Sequence, residues 1–77
     1  MGGDAILTNT QLLKDAIEMH GLKYKFIASK LNLSPYGLTK KINGTNQFKA
    51  EEISILCQIL DLSFKQKEDI FFKGTVE

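Results

Sequence analysis

Ser34-Pro35 and Asn43-Gly44 bracket nine residues between a start and a stop for one short helix. No other feature of the chain constrains its folding as tightly. Serine caps a helix by accepting a backbone N–H bond. Proline suits the first helical position, where its missing N–H has no partner to lose. Glycine after the last turn allows the left-handed backbone that closes a helix. Between these signals Leu38 and Ile42 stand four apart, on one helical face. The window therefore predicts a helix over Pro35 to Asn43.

The same punctuation recurs along the chain. Thr8-Asn9-Thr10-Gln11 reads as a capping box with Thr8 as N-cap, and Leu7 and Leu12 take the positions of a hydrophobic staple. Leu12, Leu13, Ala16 and Ile17 form the stripe of this first helix, and Gly21 closes it. A second helix starts at Lys23 or Tyr24, faces inward with Ile27, Ala28 and Leu31, and stops at Asn32. Asparagine is among the few residues that tolerate the left-handed backbone.

After "GTNQF", Phe48 and Ile53 staple a fourth helix whose N-cap is Lys49, with Glu51 and Glu52 suited to the positive end of its dipole. Ile53, Leu56, Cys57 and Leu60 form its inner stripe, and Ile55 and Ile59 a second apolar face. Ser63-x-x-Gln66 opens a fifth helix that takes in Ile70, Phe71 and Phe72, and Gly74 ends it. No alternating strand pattern of useful length appears. The expected class is all-α, five short helices in one domain over residues 1–77, with residues 1–7 flexible and 73–77 loose.

A chain of 77 residues with 43% hydrophobic residues has a real but small core. One cysteine excludes a disulfide framework and a cysteine-based zinc site. No apolar run approaches a membrane span, and "MGGDAILTNT" lacks the basic and apolar parts of a secretory signal. A reduced, cytoplasmic setting in a bacterial host, at the nucleoid, is the expectation. His20 ends the first helix and suits its dipole, and Cys57 reads as a small core residue. Neither has the partners that catalysis or metal binding needs, and there is no phosphate-binding glycine loop. An enzyme is not expected, nor a cofactor, a metal or a small-molecule ligand.

The net charge of +1 hides an uneven distribution. Between Met19 and Ala50 there is no acidic residue, while Lys23, Lys25, Lys30, Lys40, Lys41 and Lys49 all fall there. Before it, Asp4, Asp15 and Glu18 against Lys14 leave −2; after it, six acids against three lysines leave −3. A solvated lysine surface would show such a run, and so would a surface that faces a polyanion, which the length of the run favours.

The basic run coincides with a structural unit. "KYKFIASKLNLSPYGLTKKING" has two short helices joined by a tight turn, the spacing of a helix-turn-helix. Ala28 is small where the helices cross, Asn32 turns the chain, Leu33 plugs the turn and Leu38 anchors the second helix. Residues 10 to 72 resemble the lambda-repressor-like family, of the phage Cro/repressor or XRE type. The likeness rests on Ser34, Leu38, Thr39, Ile42, Asn43, Gly44, Phe48, Glu52-Ile53 and the terminal Ile70-Phe71-Phe72, a pattern similar to small one-domain prophage regulators of Gram-positive bacteria. Many such units carry glycine at the place of Asn32 and an apolar residue at the place of Lys41. Here asparagine serves the turn, and Lys41 is expected to snorkel to solvent while Ile42 anchors.

The resemblance implies that the third helix enters the major groove of double-stranded DNA. At about 100° per residue, Leu38 and Ile42 face inward and Tyr36, Gly37, Thr39, Lys40 and Asn43 face outward. Tyr36, Gly37 and Lys40 are then the base-edge candidates, beside Pro35. Thr39 and Asn43 reach bases or phosphates. Lys23, Tyr24 and Lys25 contact phosphates, as do Thr45 and Asn46 through their backbone N–H groups. The chain has no arginine, so the bidentate arginine–guanine fork is absent.

Blander readings stand beside these. Tyr36 would pack on the turn, Lys40 and Lys41 would be solvated, and Tyr24, near the inner face, would be partly buried. Phe26 points outward, and cover by the first helix or the N-terminal arm is expected. For Ile70, Phe71 and Phe72, with Ile55 and Ile59, packing onto the core and a homodimer interface both remain open. The implied function is a sequence-specific transcriptional regulator, a repressor by default, acting as a dimer on an operator. The alternative is a protein-interaction module on the same fold, an antirepressor or regulatory partner.

Overall fold

The computed structural model describes residues 8–72. Among them are α1 (Thr10–His20), α2 (Tyr24–Leu31), α3 (Pro35–Ile42), α4 (Ala50–Ile59) and α5 (Phe64–Lys67), and no strand. A π-helical segment, Glu68–Phe72, continues α5. Leu7 and Gly74, expected as a staple and a stop, lie outside the described residues.

Local chemistry sets most boundaries as expected. Gly21 closes α1 at φ 68° and Asn32 closes α2 at φ 63°, both left-handed. Ser34 Oγ accepts the Gly37 N–H at 3.0 Å, with Pro35 at the first helical position of α3. Gly44 follows the Asn43 cap at φ 86°. Ser63 and Gln66 make both bonds of a capping box, at 3.1 and 2.8 Å. Asp61 is a further left-handed residue, at φ 50°, and the sequence offers no glycine or asparagine to announce it.

One start needs correction, and another is as expected but capped from one side only. The N-cap of α1 is Asn9, not Thr8: Asn9 Oδ1 accepts the Leu12 N–H at 3.1 Å, and the Gln11 amide turns away to Asp15. Tertiary contacts select this frame. The Asn9 N–H donates to the Ile70 carbonyl at 2.7 Å, and the Thr10 hydroxyl donates to the Ile42 carbonyl at 2.9 Å. At α4, Lys49 is the N-cap residue, but its ammonium cannot accept a hydrogen bond. Only the reciprocal half of a capping box exists, in which Glu52 Oε1 accepts the Lys49 N–H at 2.9 Å.

The core gathers Leu13 and Ile17 from α1, Ile27, Ala28 and Leu31 from α2, and Leu38 and Ile42 from α3, with Phe48, Leu56, Leu60, Ile70 and Phe71. Leu56 of α4 and Leu60 at its C-cap are buried while Ile53 and Cys57 are only partly so. Phe48 meets Phe71 edge to face, with ring centroids 5.9 Å apart. Aromatic pairs favour this geometry because a positive ring edge meets a negative face. The contact secures the chain entering α4 to the C-terminal segment.

This packing settles two of the tentative dimer residues. Ile70 and Phe71 are buried in the protomer's own core, so neither is available to a partner. Ile55 and Ile59 remain half-buried and Phe72 remains exposed. Within the π-helical turn Ile70 and Phe71 are buried on successive positions while Phe72 is exposed.

Candidate nucleic-acid interface

Helices α2 and α3 meet across the three residues Asn32, Leu33 and Ser34. Asn32 reverses the chain, and the Leu33 N–H reaches back to the Ala28 carbonyl at 2.8 Å. Leu33 lies half-buried against the core. Ala28 is almost wholly buried, where a larger side chain would hold the two helices apart.

Because Leu38 and Ile42 are buried, α3 turns its opposite side outward. Tyr36 is 73% exposed, which excludes packing on the turn. The Lys40 ammonium lies 5.4 Å from the centre of the Tyr36 ring, close enough for cation–π attraction. An exposed aromatic ring and a half-buried cation thus sit side by side on the outward side of the helix. Pro35 and Asn43 are exposed, and Gly37, Thr39 and Lys40 half-buried. The Thr39 hydroxyl donates to the Pro35 carbonyl at 3.0 Å, which leaves its oxygen as an acceptor. A Cβ on Gly37 would stand 3.2 Å from Ser34 Oγ, tight against the atom that caps the helix.

Lys41 departs from expectation. It does not snorkel to solvent; it is buried, and its ammonium lies 2.6 Å from Glu52 Oε1. Glu52 is buried as well, so its part is more than a dipole contact at the start of α4. The reason is geometric. Lys41 follows the outward Lys40 by about 100° and falls on the inner flank beside Leu38, where Glu52 of α4 meets it. Burial would raise the Glu52 carboxyl; hydrogen bonds from Lys41 and the Lys49 N–H, with attraction to both ammonium groups, outweigh it and hold the group below its ordinary value.

Thr45 and Asn46 also need correction. Their backbone N–H groups donate to the Lys40 carbonyl, at 2.9 and 3.4 Å. The last carbonyls of a helix lack intrahelical partners, and the chain folding back satisfies this one before any outside ligand does. Only the exposed side chains of Thr45 and Asn46 face solvent.

Around α3, Lys23 and Lys25 are exposed at the start of α2. Tyr24 lies half-buried and packs against the core, which matches the blander reading of its ring. Phe26 remains 43% exposed, with the Lys30 ammonium 5.4 Å from its ring; the N-terminal arm expected to cover it is outside the described residues.

Other chemistry is sparse. Burial pushes the Cys57 thiol up, against the pull of Lys67, which disfavours the reactive thiolate. No group of three histidine, cysteine, aspartate or glutamate side chains suited to a metal occurs among the described residues. No helix there is long and apolar enough to cross a membrane.

The buried Lys41–Glu52 pair and the Thr10–Ile42 bond are what sequence reasoning missed. Lysine at an inner-flank position, with an acid near the start of the next helix, is the signal that would have found the first. The second has none. Comparison with family models, with curated proteins and with solved structures gives no match.

Proposed function

We propose that this chain is a sequence-specific DNA-binding transcriptional regulator of helix-turn-helix type, with α3 as the recognition helix in the major groove. The observation that carries the reading is the outward face of α3. Tyr36, Lys40 and Asn43 project from a helix whose other side is locked in the core, inside an acid-free run that also exposes Lys23 and Lys25. A short helix held rigidly by its inner side is the part that a major groove about 12 Å wide admits. Lysines beside it supply phosphate contacts that set its register.

Without arginine, base reading falls to Lys40, Asn43, Tyr36 and the small profile of Gly37. Lys40 donates to guanine, and an apolar surface suits the thymine methyl group. Two copies on a palindromic operator would space their recognition helices about 34 Å apart, one turn of DNA. Such a dimer would repress by covering a promoter. Its contact would use Ile55, Ile59 and Phe72, the members of the apolar set that stay at least partly exposed.

A second reading rests on Phe26 and Phe64, which are 43% and 76% exposed. Large exposed apolar groups suit a protein partner, so an interaction module on this fold is the alternative.

Selection of duplexes from a random-sequence library, followed by titration of the enriched sequence, tests the proposal. A shared half-site should emerge, and Lys40→Glu should abolish binding to it. Absence of any enriched sequence, with duplex affinity indifferent to salt, would sink the DNA reading and leave the protein-partner one.

A further inference from the structure

Two polar links hold the C-terminal half of α3. The Thr10 hydroxyl reaches the Ile42 carbonyl from α1, and Glu52 reaches Lys41 from α4. Glu52 is itself fixed, because the oxygen that takes the Lys41 ammonium also takes the Lys49 N–H at 2.9 Å. One carboxylate oxygen therefore joins the inner flank of α3 to the first turn of α4, across the loop of residues 43–49.

The rest of the grip on α3 is apolar. Leu38 and Ile42 are buried, but hydrophobic burial is non-directional and tolerates small rotations and slides of a helix. A side-chain tip stands about 5–6 Å from the helix axis, so a turn of about 20° moves it by about 2 Å, enough to break a base contact. A short bond between two named atoms does not tolerate this. Nor does the pair need to exist for stability, since replacing a buried ion pair with apolar residues of similar volume is often neutral or stabilising.

We propose that Lys41 and Glu52 are positioning residues that fix the rotation of α3, and that they set discrimination between DNA sequences without touching DNA. The specificity half rests on the DNA-binding reading above; the positioning half does not. In the pinned state Lys40 and Tyr36 project together beside Asn43. Without the pair α3 remains docked through Leu38 and Ile42, with the Thr10–Ile42 bond as its one remaining polar link to another helix among the described residues, and pivots about that point to sample neighbouring rotations. Phosphate contacts, which are undemanding in register, survive. Base contacts, which need fixed geometry, degrade.

The test replaces the pair as a unit, Lys41→Met with Glu52→Met, which removes both charges and keeps the volume. Urea denaturation first establishes that the variant is folded; if it is not, Lys41→Met with Glu52→Gln takes its place, which leaves no unpaired buried charge and keeps an acceptor for the Lys49 N–H. In the free protein, amide hydrogen exchange at Leu38, Lys41 and Ile42 should quicken about tenfold relative to Leu13 and Ile17 of α1. With DNA, affinity for the most enriched library duplex should fall about tenfold relative to a scrambled duplex of equal composition. Unchanged relative exchange overturns positioning. Quickened exchange with an unchanged affinity ratio overturns the specificity half. If the unsubstituted protein prefers no duplex, the DNA reading fails by itself and the exchange measurement alone decides positioning.

Discussion

Lys40 and Lys41 are neighbours of the same charge, and the structure assigns them opposite outcomes in one experiment. A protein that neutralises phosphates releases counterions, so log K falls with log salt by about 0.9 for each phosphate contacted on B-DNA. On the α2–α3 face Lys23, Lys25 and Lys40 project, while Lys41 is held 2.6 Å from Glu52 and does not count. If this face meets DNA as proposed, Lys40 has no guanine to read on a duplex of arbitrary sequence and pairs with phosphate instead. Three contacts then give a slope of about −2.7 per protomer, so affinity falls roughly 40-fold between about 50 and about 200 mM salt. Lys40→Ala should reduce the slope to about −1.8 and the loss to about 12-fold over the same range. Lys41→Met with Glu52→Met should leave the slope within about 0.2 of the original, because no phosphate contact is removed.

The assay is fluorescence anisotropy on a labelled duplex of arbitrary sequence, so that base readout does not enter. Lys23→Ala is the positive control and should match Lys40→Ala. If removing Lys41 flattens the slope as much as removing Lys40, the ammonium is not confined by Glu52 in solution, and the argument for a buried pair is refuted. If no lysine on this face alters the slope, the face does not meet a polyanion.

Three further outcomes follow from the fold. Glu52 has a folded pKa below its ordinary 4.5, so its contribution is fully present above that value and is lost as pH falls through the lower folded value; urea midpoints should hold from pH 7 to about 5 and then drop, and less steeply in Glu52→Gln. Ser34→Ala removes the acceptor for the Gly37 N–H and should cost about 1 kcal/mol by denaturant titration, whereas the same change at Thr8, which is not the α1 cap, should cost less than about 0.5 kcal/mol. Leu38→Ala empties a wholly buried site beneath α3 and should cost about 2–5 kcal/mol in the same measurement, a large share of what a domain of this size possesses.

Helix boundaries were legible in the sequence where capping is local. Ser34-Pro35, Ser63-x-x-Gln66, Gly21 and Asn32 act through bonds and dihedral angles within a few residues, so adjacent letters suffice to read them. The outward direction of Tyr36 was legible too, because helical periodicity relates it to Leu38 and Ile42 within one element. Thr8 was misread because the neighbouring Asn9 caps equally well, and the choice between them fell to contacts with Ile70 and Ile42.

By itself, then, the sequence determined an all-helical chain, most of the points where its helices begin and end, and which side of α3 is apolar, since each of these depends on interactions that repeat within three or four residues. Tertiary structure decided the rest. It placed Glu52 against Lys41, closed the Thr45 and Asn46 N–H groups onto Lys40, and drew Ile70 and Phe71 into the core beside Phe48. Those outcomes depend on which helices face one another and on what water is excluded between them, and a side chain's solvation is set only once its neighbours from distant parts of the chain have arrived.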